Sequence, residues 1–590
     1  MPPRLQKKAL ASSSNLLYRR HTTGLAPDKV ALAWTAVHKK PVSIVIPSYN
    51  DYPLLKACID SVKATCAGFQ YEVIIVDDYC QPENVSRLKS LEDTVVRVIF
   101  RSENGGFGKA VNTGMREARH DIVLLNSDIV AQAGWLDSLQ HAAYAVDPKI
   151  GMVSPKLVYP DGRIQYGGTY HAKVLAPQWF GHLYVGRAAN DPVANVAGYN
   201  RSISGACVYI KQTVVDELGL LDEAFWLGFE DVDYGLRAWD KGFRCYYQPA
   251  SMLIHHESAT RGYSQGIREL ASMRYFWRRW NSTFFFTLPT KKKLQIDYVI
   301  SSAAPQIWRD FIDSTAKSLK ANGHDVTMHV TSSSKVDEKL VATLSPKTSL
   351  KICADWGAAE TVWLSALNNG KAVYQLQDIE SSLFADNPEV QAQIIAGYRP
   401  EFHYIVPSRW VRDQLRQEAA WESALMAPQS PISSGLFTQG AKKIVALGGE
   451  ELSATVQSFA KANDYTVQHI AFESVDATQL EAIAAEQYAA VVYGDANTGN
   501  SFIGCALLAS GKPLIACKND KTRYEILDGY NALLFDLNDS AALTKCLHDV
   551  LDNQDVAEEL SANGILSAGT AENYAELLAL QLEQIASERL

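Results

Sequence analysis

The sequence predicts an α/β protein of several domains, built on mostly parallel sheets flanked by helices. Three observations carry that prediction. Short β-branched runs recur: VSIVIP (Val42 to Pro47), YEVIIVDD (Tyr71 to Asp78), VVRVIF (Val95 to Phe100), DIVLLNSD (Asp121 to Asp128), and KLQIDYVIS later. Segments with helical apolar spacing, such as YPLLKACIDSVKA (Tyr52 to Ala64), lie between them, and this alternation implies parallel pairing. Finally, 590 residues at 47% hydrophobic and 21% charged exceed what one core can organise and suggest roughly two to four domains.

Composition excludes some functions. A net charge of −9 and a pI near 5.9 argue against nucleic acid as a partner, because phosphate backbones select basic faces. The nine cysteines show no CxxC pair, which fits reduced thiols better than a disulfide framework. No stretch approaches the ~20 apolar residues of a membrane span, and MPPRLQKKALASSSNLLYRR lacks the apolar core of a signal peptide. A cytoplasmic location is expected.

Taken in order, residues 1–40 form a basic arm with Arg4, Lys7, Lys8, Arg19 and Arg20. It reads as a solvated tail or strap, with contact to anionic lipid as the alternative. From Pro41 the strands begin. Two of them end in acids, Asp77 and Asp78 after EVIIV and Asp128 after IVLLNS, and parallel sheets bind ligands at those carboxyl ends. Asn126 and Asp128, two residues apart on a turn, suit Mg²⁺ or Mn²⁺, which takes oxygen ligands and substrate phosphates. The loop RSENGGFGKAVNTG (Arg101 to Gly114) places Gly105, Gly106 and Gly108 before a helix, where backbone can approach a ligand or simply turn.

The stretch Phe225 to Arg261 concentrates titratable groups: Glu230, Asp231 and Asp233, then His255 and His256 after a strand. Val232, Leu236 and Trp239 fall on one helical face, so the acids occupy a first helical turn, where the dipole favours negative charge. Capping and a base beside a metal are both open at this point.

These residues carry a resemblance. PSYND at 47–51, IIVDDYC at 74–80, ENGGFGKAVNTG at 103–114, LLNSDI at 124–129, SGACVYIK at 204–211, GFEDVDYGLRAWDKGF at 228–243 and IHHESATRG at 254–262 resemble family-2 glycosyltransferases of the rhamnosyl- and galactofuranosyltransferase-like branch. The resemblance implies a GT-A fold with a mixed, mostly parallel sheet, over 41–292, and an inverting transfer from a nucleotide-diphosphate sugar. It implies donor contacts from Pro47, Tyr49, Asp77, Asp78, Asn104, Gly105, Lys109, Asn126, Ser127 and Asp128. It further implies Asp231 as catalytic base, Glu230 orienting the acceptor, and Mn²⁺ or Mg²⁺ held by Asp128, His255 and Asn126. Asn126 departs from the family's DxD pattern, where aspartate stands. His256 is the alternative to His255, Asp233 a helix cap, and Arg261 with its loop a lid on the diphosphate.

Residues 155–205 read as an insertion whose aromatics, Tyr166, Trp179, Phe180 and Tyr184, form either an acceptor-side wall or a packed lid. MRYFWRRWNSTFFFTLPTKKK (Met273 to Lys293) interleaves aromatics with cations. It reads equally as an interfacial helix serving a lipid-linked acceptor and as a buried helix.

The second half repeats the strand and helix alternation, with KLQIDYVIS, DVTMHV, ICADW, KAVYQLQD and FHYIVPS to about residue 440. KKIVALGG, TVQHIAF, AAVVYGD, KPLIACK and NALLFD follow. Tyr374 to Phe384, Val406 to Leu415 and Ser501 to Leu543 resemble a GT-B glycosyltransferase of the rhamnosyltransferase type, implying two Rossmann-type lobes, 293–440 and 441–590. That family carries two glutamates before its GKP-like turn, and here Thr498 and Ala506 stand in their places. Glu525 is the remaining acid implied near a nucleotide.

The expected function is transfer of a sugar, rhamnose favoured, to a growing bacterial surface polysaccharide of O-antigen or cell-wall type. The acceptor is lipid-linked or an oligosaccharide, with peripheral contact at the inner face of the cytoplasmic membrane. A polymerase with both modules active, and a second module that only binds the glycan, are the alternatives.

Overall fold

The computed structural model describes residues 29–172, 179–256, 267–284, 287–288, 293–332, 336–419, 423–425, 435–437, 440–471, 475–494, 501–521, 523–568 and 571–588. The chain divides into two compact units, Met1–Phe284 and Phe285–Leu590. The cations of the basic arm, Arg4 to Arg20, lie outside the described residues. Its last turns form a helix, α1 (Lys29–His38), strapped to the domain where Thr35 donates to Asp137 (2.6 Å) and Trp34 stacks on Tyr144.

The first unit is built on one mixed sheet. Its early part alternates β1 (Val42–Ser48), α2 (Tyr52–Thr65), β2 (Tyr71–Asp77), α3 (Pro82–Lys89), β3 (Val96–Phe100), α4 (Phe107–Glu117) and β4 (Asp121–Leu125). Strands β1, β2, β3 and β4 pair in parallel; β1, β2 and β4 are nearly continuous apolar runs, as strands covered on both faces must be, while the edge strand β3 is only partly buried. The sheet then changes character through β5 (Ile129–Ala131), α5 (Trp135–His141), β6 (Ile150–Val158), β7 (Ile164–Tyr166), β8 (Thr169–Ala172) and β9 (Trp179–His182). After them come β10 (Gly198–Asn200), β11 (Cys207–Ile210), α6 (Gln212–Leu218), α7 (Glu230–Asp240), β12 (Arg244–His255) and α8 (Ile267–Phe284). The order is β10-β12-β6-β11-β4-β1-β2-β3. Strand β11 runs antiparallel to both β4 and β6, whereas β12 is parallel to β6. Strands β8 and β9 stand apart as a hairpin.

Helix α8 resolves one alternative. Phe276, Trp277, Trp280 and Phe284 are buried. Trp277 and Phe284 pack on His171 and Phe180, and Phe276 on Phe229. The aromatic face that an interfacial helix would offer to lipid is therefore inside the fold, and the membrane-contact reading loses its support. Among the described residues no helix is long and apolar enough to cross a membrane.

The second unit holds two all-parallel sheets. The first comprises β13 (Gln295–Ser301), α9 (Gln306–Ala321), β14 (Asp325–Thr331), α10 (Glu338–Leu344), β15 (Leu350–Cys353), α11 (Trp356–Ser365), β16 (Lys371–Gln375), α12 (Pro388–Gly397), β17 (His403–Val406), α13 (Arg409–Ala419) and β18 (Ser423–Leu425), ordered β14-β13-β15-β16-β17-β18. The second comprises β19 (Lys443–Gly448), α14 (Glu450–Ala462), β20 (Thr466–Ile470), α15 (Ala477–Ala485), β21 (Ala490–Gly494), α16 (Ser501–Ala509), β22 (Leu514–Cys517), β23 (Leu533–Phe535), α17 (Ser540–Leu551) and α18 (Gln554–Ala568), ordered β20-β19-β21-β22-β23. Aspartates at helix starts accept amide donors, as Asp476 does in a full capping box before α15. The last helix, α19 (Ala571–Ser587), packs Tyr574, Leu578 and Leu582 into the core of the six-stranded sheet. Its terminal carbonyls accept from the buried Lys371 ammonium, 2.7 Å from Ile585 O, a cation placed where the helix dipole favours it. All nine cysteines are buried, and none is in a disulfide.

Candidate active site in the first unit

The carboxyl ends of β1, β2 and β4 lie side by side, since Ser48 pairs with Asp77 and Val45 with Leu124. The turn after β4 carries Asn126, Ser127 and Asp128. Strand register brings His255 to it: antiparallel pairing sets His255 opposite Ile129, the residue after Asp128. His255 Nε2 lies 3.1 Å from Asp128 Oδ1, and its Nδ1 lies 2.7 Å from Gln165 Oε1 on β7. A ring held between a carboxylate and an amide is fixed in orientation, as metal-ligating histidines usually are. Burial opposes ionisation of Asp128, but the His255 contact holds its carboxyl below the usual range. His256 gives its backbone amide to Asp128 O (3.0 Å), and burial lowers its imidazole pKa.

Asp51, the last residue of PSYND, is a participant that motif reading missed. Its carboxylate accepts from Ser48 Oγ at 2.6 Å and from Ser127 Oγ. Burial raises its pKa, against those hydrogen bonds. Ser127 is thus tied down within the turn, while Asp128 beside it is tied to His255.

The two acids after β2 differ. Asp78 accepts from Gly105 N (3.0 Å) and Gly106 N (2.9 Å) and pairs with Arg101 Nε at 2.8 Å. The amides of the glycine-rich loop, expected to approach a ligand, are engaged by Asp78, and the loop's glycines serve close packing. A Cβ at Gly106, whose φ is +84°, would lie 2.6 Å from Trp226 O. Asp77 accepts Cys80 N through Oδ2 (3.1 Å), while its buried Oδ1 has no partner. A buried acceptor left open calls for a ligand or water. Around them, Tyr49 is exposed, and Pro47, Asn104 and Lys109 are half-buried.

Asp231 is the second residue of α7, a helix that starts after two residues of positive φ, Gly228 (+84°) and Phe229 (+72°). Non-glycine backbone in that region carries strain and persists where the surroundings impose it. Asp231 Oδ2 accepts from Gly205 N at 2.7 Å, and Oδ1 from its own helix at Val232 N. Burial raises its pKa, opposed by those amides and by His182. The next residue along, Ala206, accepts Asn126 N through its carbonyl (2.9 Å). Neighbouring residues of one strand entrance therefore clamp Asp231 and the turn of Asp128. Asp231 lines a cavity of about 280 Å³ with Phe180, His182, Phe229 and Glu269.

The other predicted residues separate from it. Asp233 is fully buried and does not cap the helix. It binds Arg237 Nε (2.9 Å), Arg279 Nε (3.2 Å) and Trp280 Nε1 (2.9 Å), pinning α8 to α7. Glu230 is buried at the helix start. Of the insertion aromatics, Phe180 lines the cavity, Tyr166 is core and Tyr184 is half-buried. The Trp179 side chain and Arg261 lie outside the described residues.

Residues 43–181 match the family described as Glycosyl transferase family 2. This segment is a family 2 glycosyltransferase domain. Relatives of the glycosyltransferase domain include the uncharacterized protein y4gI of Sinorhizobium fredii, 30% identical over 47% of this chain and 32% of that protein. The O-antigen biosynthesis protein RfbC of Myxococcus xanthus is 29% identical over 40% of this chain and 19% of that protein. The N-acetylglucosaminyl-diphospho-decaprenol L-rhamnosyltransferase of Mycobacterium tuberculosis is 26% identical over 28% and 61%. The chain thus spans between about a fifth and three-fifths of these relatives' lengths.

Proposed function

We propose that the first unit is an inverting glycosyltransferase that moves a sugar, rhamnose favoured, from a nucleotide diphosphate to a growing bacterial surface polysaccharide. The observation that carries this reading is the Gly205–Ala206 clamp. It holds a carboxylate with raised pKa at a cavity and, one residue on, the turn bearing Asp128. Relatives named for O-antigen biosynthesis and rhamnosyl transfer support the substrate class.

Asp231 removes the proton from the acceptor hydroxyl as that oxygen attacks the anomeric carbon from the side opposite the diphosphate. The bond to the diphosphate oxygen breaks, the configuration inverts, and the proton stays on Asp231. A carboxylate whose pKa burial has raised suits this step. Asp77 Oδ1 supplies an acceptor for the nucleotide. Asp128 and His255, with Gln165 behind them, would hold Mn²⁺ or Mg²⁺, with Asn126 as a neutral neighbour. One carboxylate and one oriented imidazole fit an ion that keeps places for waters and phosphates, and among the described residues no cluster of three or more acidic, histidine or cysteine side chains offers a closed cage instead. When bound, such an ion neutralises charge on the departing diphosphate.

Replacing Asp231 with Asn tests this reading: transfer should fall about 10³-fold while donor and Mn²⁺ binding persist. Undiminished transfer would overturn it. A donor screen with dTDP-rhamnose, UDP-galactofuranose, UDP-GlcNAc and GDP sugars, with and without Mn²⁺, identifies the sugar.

For the second unit we infer a GT-B-like pair of lobes. The two sheets present their carboxyl ends to each other, since Lys521 after β22 reaches Asp378 after β16 at 3.2 Å. Ala506, where a glutamate would stand, is buried within α16, and Thr498 lies outside the described residues. Ala506 favours a module that holds the glycan over one that adds a second sugar. Glu525, whose Oε2 is buried without a hydrogen-bond partner, supports a ligand between the lobes.

A further inference from the structure

A base works only from a defined place, and we infer that α8 sets that place: Trp280 and Arg279 act as positioning residues for Asp231 by holding the segment that carries it. The inference rests on the reading of Asp231 as the base. Residues 222–233 run from the loop after α6 into the first turn of α7. At the start of this segment, Asp222 accepts from Arg279 Nη1 (2.7 Å) and from the Tyr275 hydroxyl (2.9 Å). At its end, Asp233 accepts from Trp280 Nε1 (2.9 Å) and pairs with Arg279 Nε (3.2 Å). One guanidinium thus spans the segment. Between the two ends, the buried Phe276 ring lies 4.9 Å from that of Phe229. Tyr275 with Arg279, and Phe276 with Trp280, are i, i+4 pairs on one face of α8. None of these four is among the described residues that line the cavity, so their effect on transfer passes through the segment they hold.

The backbone shows why holding is needed. Phe229, with φ at +72°, is a bulky residue in the left-handed region, a strained state that persists only where its surroundings impose it. Its relaxation would swing the entry into α7 and draw Asp231 away from Gly205 N, which holds the carboxylate at 2.7 Å. A displacement of about 1 Å at a reacting group costs about 10²-fold in rate. The two positioning residues differ in weight. Trp280 is buried, whereas the Arg279 side chain is 36% exposed, and ion pairs in water hold little. Arg237 on α7 itself takes the other Asp233 oxygen (2.9 Å) and donates to the Leu218 and Leu220 carbonyls. Cutting the Trp280 contact therefore loosens the first turn of α7 without stranding Asp233.

A double-mutant cycle separates positioning from plain stability. Transfer is measured on the full-length protein, with the donor that the screen selects, for the unsubstituted chain, Trp280→Phe, Asp231→Asn and the double variant. Trp280→Phe keeps the ring and loses the N–H donor. It should lower kcat about tenfold or more, toward the ~10²-fold of a 1 Å misplacement, while donor KM changes less than about twofold. Arg279→Gln should lower kcat only about threefold. In the Asp231→Asn background, Trp280→Phe should cost less than about twofold, because a base already removed cannot be misplaced. Melting temperatures are followed throughout, and Phe276→Leu, which leaves the Trp280 and Arg279 hydrogen bonds in place, gives a second reading if Trp280→Phe does not fold. It should show the same dependence on Asp231. Unchanged kcat in folded Trp280→Phe, or equal losses in both backgrounds, overturns the inference and leaves the base assignment standing when Asp231→Asn is itself impaired. Normal transfer by Asp231→Asn alone sinks the base assignment, and the inference with it.

Discussion

Both units end parallel strands in acids, and the two sets of acids are used differently. In the second unit, Asp355 after β15 accepts Ser301 N (2.7 Å) and Gly357 N (3.0 Å), and buried Glu380 accepts Trp356 N (3.0 Å) and the Tyr374 hydroxyl. Asp378 pairs with Lys521. In the first unit, Asp231 borders a cavity, Asp77 keeps an unpartnered oxygen, and Asp128 faces an oriented histidine. An acid is therefore a candidate site where it borders a cavity, keeps an open oxygen or faces an oriented histidine, and not where it only ties segments of the fold together. The same distinction operates inside the first unit, where Asp78 closes a loop and Asp233 joins two helices.

The sharpest way to break this comparison is to remove one acid of each kind. Asp231→Asn should cost about 10³-fold in transfer, roughly 4 kcal/mol, with little change in melting temperature. In the second unit, Lys521→Ala strands Asp378 as a buried unpaired charge and should destabilise that unit by about 3 kcal/mol in urea unfolding. Joint replacement, Lys521→Met with Asp378→Leu, should recover most of that loss. If the double variant binds glycan or nucleotide less well while regaining stability, the pair is a ligand contact and the contrast between the units weakens.

A smaller effect sharpens the first unit's side. Gln165→Leu removes the group behind His255 while leaving both proposed metal ligands in the sequence, and Mn²⁺ affinity read by electron paramagnetic resonance should fall about tenfold. Unchanged affinity would make the His255–Asp128 contact an ordinary buried pair.

What was legible beforehand follows the range of the interactions. The strands of both halves and helix α7 announce themselves through local apolar periodicity, and short motifs place Asp128, Asp231 and His255 in one region. Asp51 with Ser127, Gln165 with His255, and Gly205 with Asp231 depend on strand register across 26 to 90 residues, which no local pattern encodes. Asp233 follows the same logic: its place in the first helical turn suggests a cap, but Arg279 and Trp280 on a later helix claim it. Helix α8 alternates aromatics and cations as an interfacial helix does, and only its packing partners show that the aromatic face is covered.

The smallest effect concerns Glu525, an acid of the second unit whose buried Oε2 has no hydrogen-bond partner, like Asp77 Oδ1 in the first. Burial raises the Glu525 carboxyl from its ordinary 4.5 to about 7, with Arg409 opposing the shift. The folded state therefore holds a proton that the unfolded chain releases near pH 4.5. The associated stability is complete below that pH and is lost as the pH rises through 7. Because Glu525 is only half-buried, we expect about 1 kcal/mol over this window. Calorimetry between pH 5 and 8 should show the second unit's transition falling with pH, and Glu525→Gln should flatten the part of the slope near pH 7. Asp355, pushed by burial to about 6, retains its own share at lower pH. If a nucleotide diphosphate steepens the slope near pH 7 in the unsubstituted protein and not in Glu525→Gln, Glu525 belongs with Asp77 as an acid kept open for a ligand. If the slope is the same with and without Glu525, the second unit's acids are structural throughout.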